Sequence, residues 1–204
     1  MDPISKPVDK ILKRLEWIAI PNLGILIVGL AVLGYVGQEL LNIPISRFEF
    51  DPYLVRQGEY WRLLSYPLIG GPIWLIFYVL YVYFVMNALE QTWGTSRLTI
   101  FTALSYFGAI GAALITNQSL SIWTYVVTNI SLAFGILFPE MEFYLFFILP
   151  VKAKWLALLS GALILFQFVV GSITAKLFYG MVHFPILLFF GPYLVQIAMR
   201  KLKR

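Results

Sequence analysis

The sequence predicts an all-α polytopic membrane protein with six spans, and three observations carry that reading. Of 204 residues, 60% are hydrophobic and 12% charged, and the mean hydropathy is +0.83, well outside the range of a water-soluble domain. Several windows reach the roughly 20 apolar residues that a helix needs to cross the hydrocarbon core, and short connections join them. The basic residues gather at alternate span ends. Together these leave no room for a separate soluble domain, so residues 1–204 read as one membrane domain.

The spans fall at about 17 to 38, 68 to 89, 98 to 116, 119 to 138, 154 to 173 and 178 to 199. Residues 1–16 form a basic leader containing Lys6, Lys10, Lys13 and Arg14. Ile11, Leu12, Leu15 and Trp17 alternate with those charges, which fits either a short interfacial helix or a plain charged leader. The first apolar run lacks a small-residue cleavage site and is followed by further spans, so it reads as a retained helix rather than a signal peptide. The segment 39–67 combines Phe48, Phe50, Tyr53, Tyr60 and Trp61 with prolines and glycines, and is expected to fold into the membrane edge on the outer side. Phe143 to Pro150 is too short to span and reads as a partly embedded inner-face segment. Residues 199–204 form a basic tail.

Arg97, Lys152, Lys154, Arg200, Lys201, Lys203 and Arg204 fall on the same side as the basic leader, and only Arg47, Arg56, Arg62 and Lys176 fall opposite. The positive-inside rule therefore places both termini in the cytoplasm. The net charge of +5 is dispersed over span ends, which suits anionic headgroups and gives no nucleic-acid patch. The expected surroundings are a lipid bilayer. The composition fits a prokaryotic cytoplasmic membrane, and an endoplasmic reticulum protein would look similar.

No cysteine is present, which excludes disulfides, thiolate metal sites and cysteine nucleophiles. The sequence carries no HExxH, Walker A loop or dinucleotide-type glycine run, and it has a single histidine, so neither a metal nor a cofactor is expected. Gly29, Gly34 and Gly37 in the first span, and Gly108, Gly111 and Ala112 in the third, permit close helix packing.

Four pieces of sequence bear on function: "GEYWRLLS" from Gly58 with Trp61 and Arg62, "LEQTWGTSR" with Glu90, Gly94 and Arg97, the pair Phe134-Gly135, and the late His183. In this order and spacing they resemble the rhomboid superfamily, which includes intramembrane serine proteases and the non-proteolytic derlins. The resemblance runs from about Gly58 to the C-terminus. It implies a six-helix core and, in proteolytic members, a GxSG-type serine on the fourth span, a histidine on the sixth, and His and Asn on the second that stabilise the oxyanion. Such acyl transfer needs nucleophile, base and oxyanion donors together.

Anchoring the fourth span on Phe134-Gly135 puts Thr128 and Ser131 at the two glycines of that motif and Ile130 at the nucleophile. Trp74 and Tyr78 fall near the oxyanion positions, and Phe184-Pro185-Ile186 replaces the small residues that follow the histidine. The expectation is a catalytically inactive member that binds or handles transmembrane segments of client proteins. The alternative is a protease with a displaced Ser131–His183 dyad. Bulk after His183 is expected to hold that pair apart, and one residue of helix turns a side chain by about 100°.

Thr128, Asn129 and Ser131 otherwise read as hydrogen-bonding glue, as does Gln167. His183 reads either as a neutral ring bonded to Asn129, Tyr78 or a backbone carbonyl, or as a client contact. Tyr78, Asn129, Ser131 and His183 form the candidate polar core. Glu90 and Arg97 are expected to cap helix ends and pair with each other. Trp61 and Arg62 are expected to anchor the outer loop.

Overall fold

The computed structural model describes residues 14–64, 71–145 and 149–202. The leader up to residue 13 and the residues 65–70 at the start of the expected second span lie outside them. The chain is an integral membrane protein, dominated by helices. In order these are α1 (Leu23–Leu41), a short α2 (Pro52–Arg56), α3 (Pro72–Trp93), α4 (Thr95–Thr116), α5 (Ile122–Leu137), α6 (Ala153–Val170), α7 (Ile173–Val182) and α8 (Phe184–Leu202).

Glu16–Leu41, Pro72–Trp93, Thr95–Thr116 and Ala153–Val170 are each long and apolar enough to cross a membrane, and the bent pair α7–α8 supplies a fifth candidate. Helix α5 has only 16 residues. At 1.5 Å per residue that is roughly 24 Å, short of the hydrocarbon thickness. It sits inside the bundle, where protein rather than lipid meets its ends.

Two expectations are corrected. The last span is broken: α7 and α8 meet at His183 with a bend of 73°. Pro185 lies two residues on, and a proline has no N–H for the carbonyl four residues back and clashes with it. The chain is also not purely helical, since β1 (Glu142–Leu145) and β2 (Leu149–Lys152) pair antiparallel, with Phe143 opposite Val151. The expected inner-face segment is thus a hairpin, and Phe143 packs its ring against Tyr81, Phe84 and Phe134.

The core lies around α4 and α5. Helix α4 packs against α3, α5, α7 and α8, and its buried stripe includes Phe101, Ser105, Ala109 and Ala112. Trp93, Phe101, Phe189 and Phe190 form an aromatic knot near the α3–α4 turn. That turn needs Gly94, whose φ of +94° suits glycine alone at low cost. Gly108 admits the Met181 carbonyl at 3.2 Å from where a Cβ would stand. Gly29 and Gly37, expected at helix contacts, face open space, whereas Gly24 is pressed to 2.9 Å from the Met86 Cβ.

The segment 42–64 packs on the far end of α4. Phe50 bridges to Leu120, and Arg56 donates to the Asn117 side chain and the Leu114 carbonyl. Asp51 caps α2 by accepting from the Tyr53 and Leu54 amides. At the other end of the bundle, the Ile20 amide donates to Thr99 and the Asn22 amide to Glu90.

Candidate functional site

Helix α5 carries two polar sets on different faces. Asn129 is fully buried, as is Ser105 on α4. The Asn129 Nδ2 donates to the Val182 carbonyl at 2.9 Å and to the Ser105 Oγ at 3.2 Å. Its Oδ1 stands 2.6 Å from the His183 Nδ1. A carbonyl only accepts, so Val182 fixes which end of the amide is nitrogen. The imidazole Nδ1 must then carry a proton and donate to Asn129, leaving Nε2 as the acceptor of the neutral ring.

The break in the helix explains why this site exists. The Ile186 amide turns to the His183 carbonyl at 3.0 Å rather than to Val182. The Val182 carbonyl thereby loses its helical donor in a dry interior, where an unpaired carbonyl is costly. Asn129 supplies the missing hydrogen. His183, 7% exposed, is flanked by Tyr179, whose ring plane lies within 9° of its own, and by Tyr125.

The second set faces α3. Ser131 donates to the Val127 carbonyl one turn back at 2.6 Å and accepts from the Tyr81 hydroxyl at 2.6 Å. Thr128 donates to the Thr124 carbonyl of its own helix. Thr124, Thr128, Ser131 and Gly135 recur every three or four residues and so share one face. Gly135 closes that face against α6: a Cβ there would fall on Ala157 and within 2.9 Å of the Ala153 carbonyl oxygen.

The structure does not bring Ser131 and His183 together. Ser131 lies two residues beyond the histidine's partner Asn129, about 200° around the helix, and its hydroxyl is bonded elsewhere. Bulk after His183 is not the cause, because the histidine does reach α5; the separation is angular. Ile130, at the nucleophile position, is buried at 3% exposure. Of the positions matched to oxyanion donors, Trp74 points outward at 70% exposure. The Tyr78 hydroxyl is buried without a hydrogen-bond partner.

Arg62 is 5% exposed and ties the outer loop together, donating to the Glu59 carboxylate at 2.7 Å and to the Ser46 and Glu49 carbonyls. It serves backbone carbonyls, while Trp61 beside it is half exposed. Glu90 accepts from the Asn22 amide and the Thr95 hydroxyl, both at 3.0 Å. Arg97 stands half-buried in the first turn of α4. Gln167, expected as glue, is exposed on α6.

Sequence reasoning missed Tyr81 and Ser105. Tyr81 falls one turn beyond Tyr78, and Ser105 is a lone small hydroxyl in an apolar run, so neither stood out. Among the described residues no group of three His, Cys, Asp or Glu side chains could hold a metal ion. No protein-family model matches the chain, and neither curated proteins nor solved structures give a match.

Proposed function

We propose that this chain is a six-pass, rhomboid-like membrane protein without peptidase activity, with both termini cytoplasmic, that holds transmembrane segments of client proteins. The observation that carries the inactive reading is the opposed placement of Ser131 and His183 on α5, each in a closed hydrogen-bond set. A serine needs a base beside it and an oxyanion site in front of it, and neither accompanies Ser131.

Client binding is supported by the lateral surface beside that helix. The first half of α3 exposes Ile73, Trp74, Ile76, Phe77 and Leu80, whereas its second half is packed through Val82, Val85, Met86 and Leu89. Helix α6 packs on α5 and α7 and buries only Ala153. Between α3 and α6, the face of α5 with Thr124 exposed and Thr128 half-buried looks outward. Small and hydroxylated residues of this kind let another helix approach closely.

The test pairs two experiments. Fluorophosphonate labelling of the purified protein is expected to give no signal above that of Ser131→Ala and His183→Ala; labelling that requires both residues would make the protein a protease. A photoreactive side chain at Trp74 or Phe77 is expected to cross-link membrane proteins in native membranes, and the same probe at Leu159 on α6 is expected to capture lipid alone. Because the chain has no cysteine, single-cysteine accessibility reads topology directly. Tyr53→Cys should label from outside intact cells and Gln91→Cys only after permeabilisation.

A further inference from the structure

A cleft between α1 and α3 is lined by Asn22, Gly24, Ile25, Tyr83, Asn87 and Glu90. It stands apart from the α5 site, at the bundle end that holds the α3–α4 turn. Its polar members are out of keeping with their place. Tyr83, Asn87 and Gln91 are exposed and recur at four-residue spacing, so they form a stripe on the lipid-facing side of α3. Asn87 lies six residues before the end of the helix at Trp93, roughly 9 Å into the bilayer from that end. The only hydrogen bond that stripe makes within itself is a long one, from Gln91 to the Asn87 Oδ1 at 3.3 Å. Polar groups that climb this far on an outward face need a polar cover in the membrane.

We infer that this cleft holds the primary ammonium headgroup of a membrane phospholipid of the ethanolamine class. Glu90 supplies the charge. Both of its hydrogen bonds land on Oε1, and Oε2 takes none from the described residues. The start of α1 and the end of α3 meet here, so their opposed helix dipoles offset one another and the carboxylate remains as the net charge. Around it the Asn22 and Asn87 amide oxygens and the Tyr83 hydroxyl offer acceptors, and no lysine or arginine lines the cleft. An ammonium with three N–H donors matches such a set.

Competing cations fit less well. A divalent ion takes six or more oxygens with several carboxylates, and one carboxylate is present. A choline headgroup has no N–H and is held by a cage of aromatics, where this cleft has Tyr83 alone. A serine headgroup would bring its own carboxylate against Glu90. A soluble amine would have to reach Asn87 through the bilayer, whereas a lipid is already there.

Native mass spectrometry of the full-length, delipidated protein tests this by titration with phosphatidylethanolamine, phosphatidylcholine and phosphatidylglycerol. The ethanolamine lipid is expected to bind about tenfold tighter than the choline lipid, the worth of one charge-assisted hydrogen bond. Glu90→Gln keeps an oxygen for Asn22 and Thr95 and should bring that ratio near one. Asn87→Leu, on an exposed position that the fold does not use, should lower it too. A ratio near one in the unaltered protein, or a ratio that survives both substitutions, overturns the assignment. Free phosphoethanolamine is expected not to displace the bound lipid at equal concentration; displacement would make this a soluble-amine site and end the lipid reading.

Discussion

The two faces of α5 carry similar polar residues and treat them differently. On one face Asn129 is shared by three partners from α4 and the α7–α8 break, all buried. On the other, Thr128 bonds only its own helix, and Ser131 adds one partner, Tyr81, at the edge of an outward-looking surface. The difference follows from what each face meets. A broken helix leaves a carbonyl that must be satisfied, so the Asn129 face is fixed by need. Nothing on the Ser131 face would be left unpaired by a moderate movement of α3, so that face is free to open.

The largest expected effect concerns the closed end of the open face. At Gly135→Leu the added side chain meets the Ala153 backbone and Ala157, and backbone gives way less readily than a side-chain tip. Overpacking of this kind costs about 3 kcal/mol at the upper end of its range. Thermal or denaturant unfolding in detergent should show that loss, and a change within error would mean that α6 is not seated on α5 as described. Asn129→Leu comes next. It removes three hydrogen bonds of membrane-interior type, at about 0.6 kcal/mol each, and strands the Val182 carbonyl, for a loss near 2 kcal/mol. Pro185→Ala tests the reason behind that figure. With an N–H restored at residue 185 the helix can run on, so the cost of Asn129→Leu should shrink in that background if the break creates the need for the amide.

Ser131→Ala is expected to cost only ~0.6 kcal/mol and to leave the reactivity of the protein toward serine probes unchanged. A loss comparable to that of Asn129→Leu would erase the distinction between the two faces.

How much of this was legible in the sequence differs between the same two faces. The apolar helices, the Gly94 turn and the tying role of Arg62 follow from local pattern, because each depends on neighbours in the chain. The Asn129–His183 contact was one of several partners open to the histidine, since its two residues are 54 apart and only the fold selects among donors. The break itself went unread although Pro185 is plain in the sequence. Prolines are tolerated within spans when other groups satisfy the freed carbonyls, so a proline alone does not say whether a helix bends. The hairpin at Glu142–Lys152 was hidden for a related reason: a short apolar run has no period that separates strand from helix.

The smallest expected effect bears on that hairpin, which covers the foot of the open face through Phe143. Glu140, just beyond α5, accepts hydrogen bonds from Lys152 at 2.7 Å and from Lys154, and these hold its carboxyl down from 4.5 to about 2. The Lys152 ammonium is raised by the same contact. A carboxyl depressed on folding contributes stability that is complete above 4.5 and is lost as the pH falls through about 2. The side chains are exposed, so the contribution is modest and added salt should screen it. Carbon chemical shifts of a selectively labelled Glu140 should titrate well below an ordinary carboxyl in low salt and move toward it in high salt. The accompanying shifts should reach Phe143 and Tyr81 and stop short of Asn129. Perturbation that reached His183 would couple the two faces and remove the independence on which an opening surface depends.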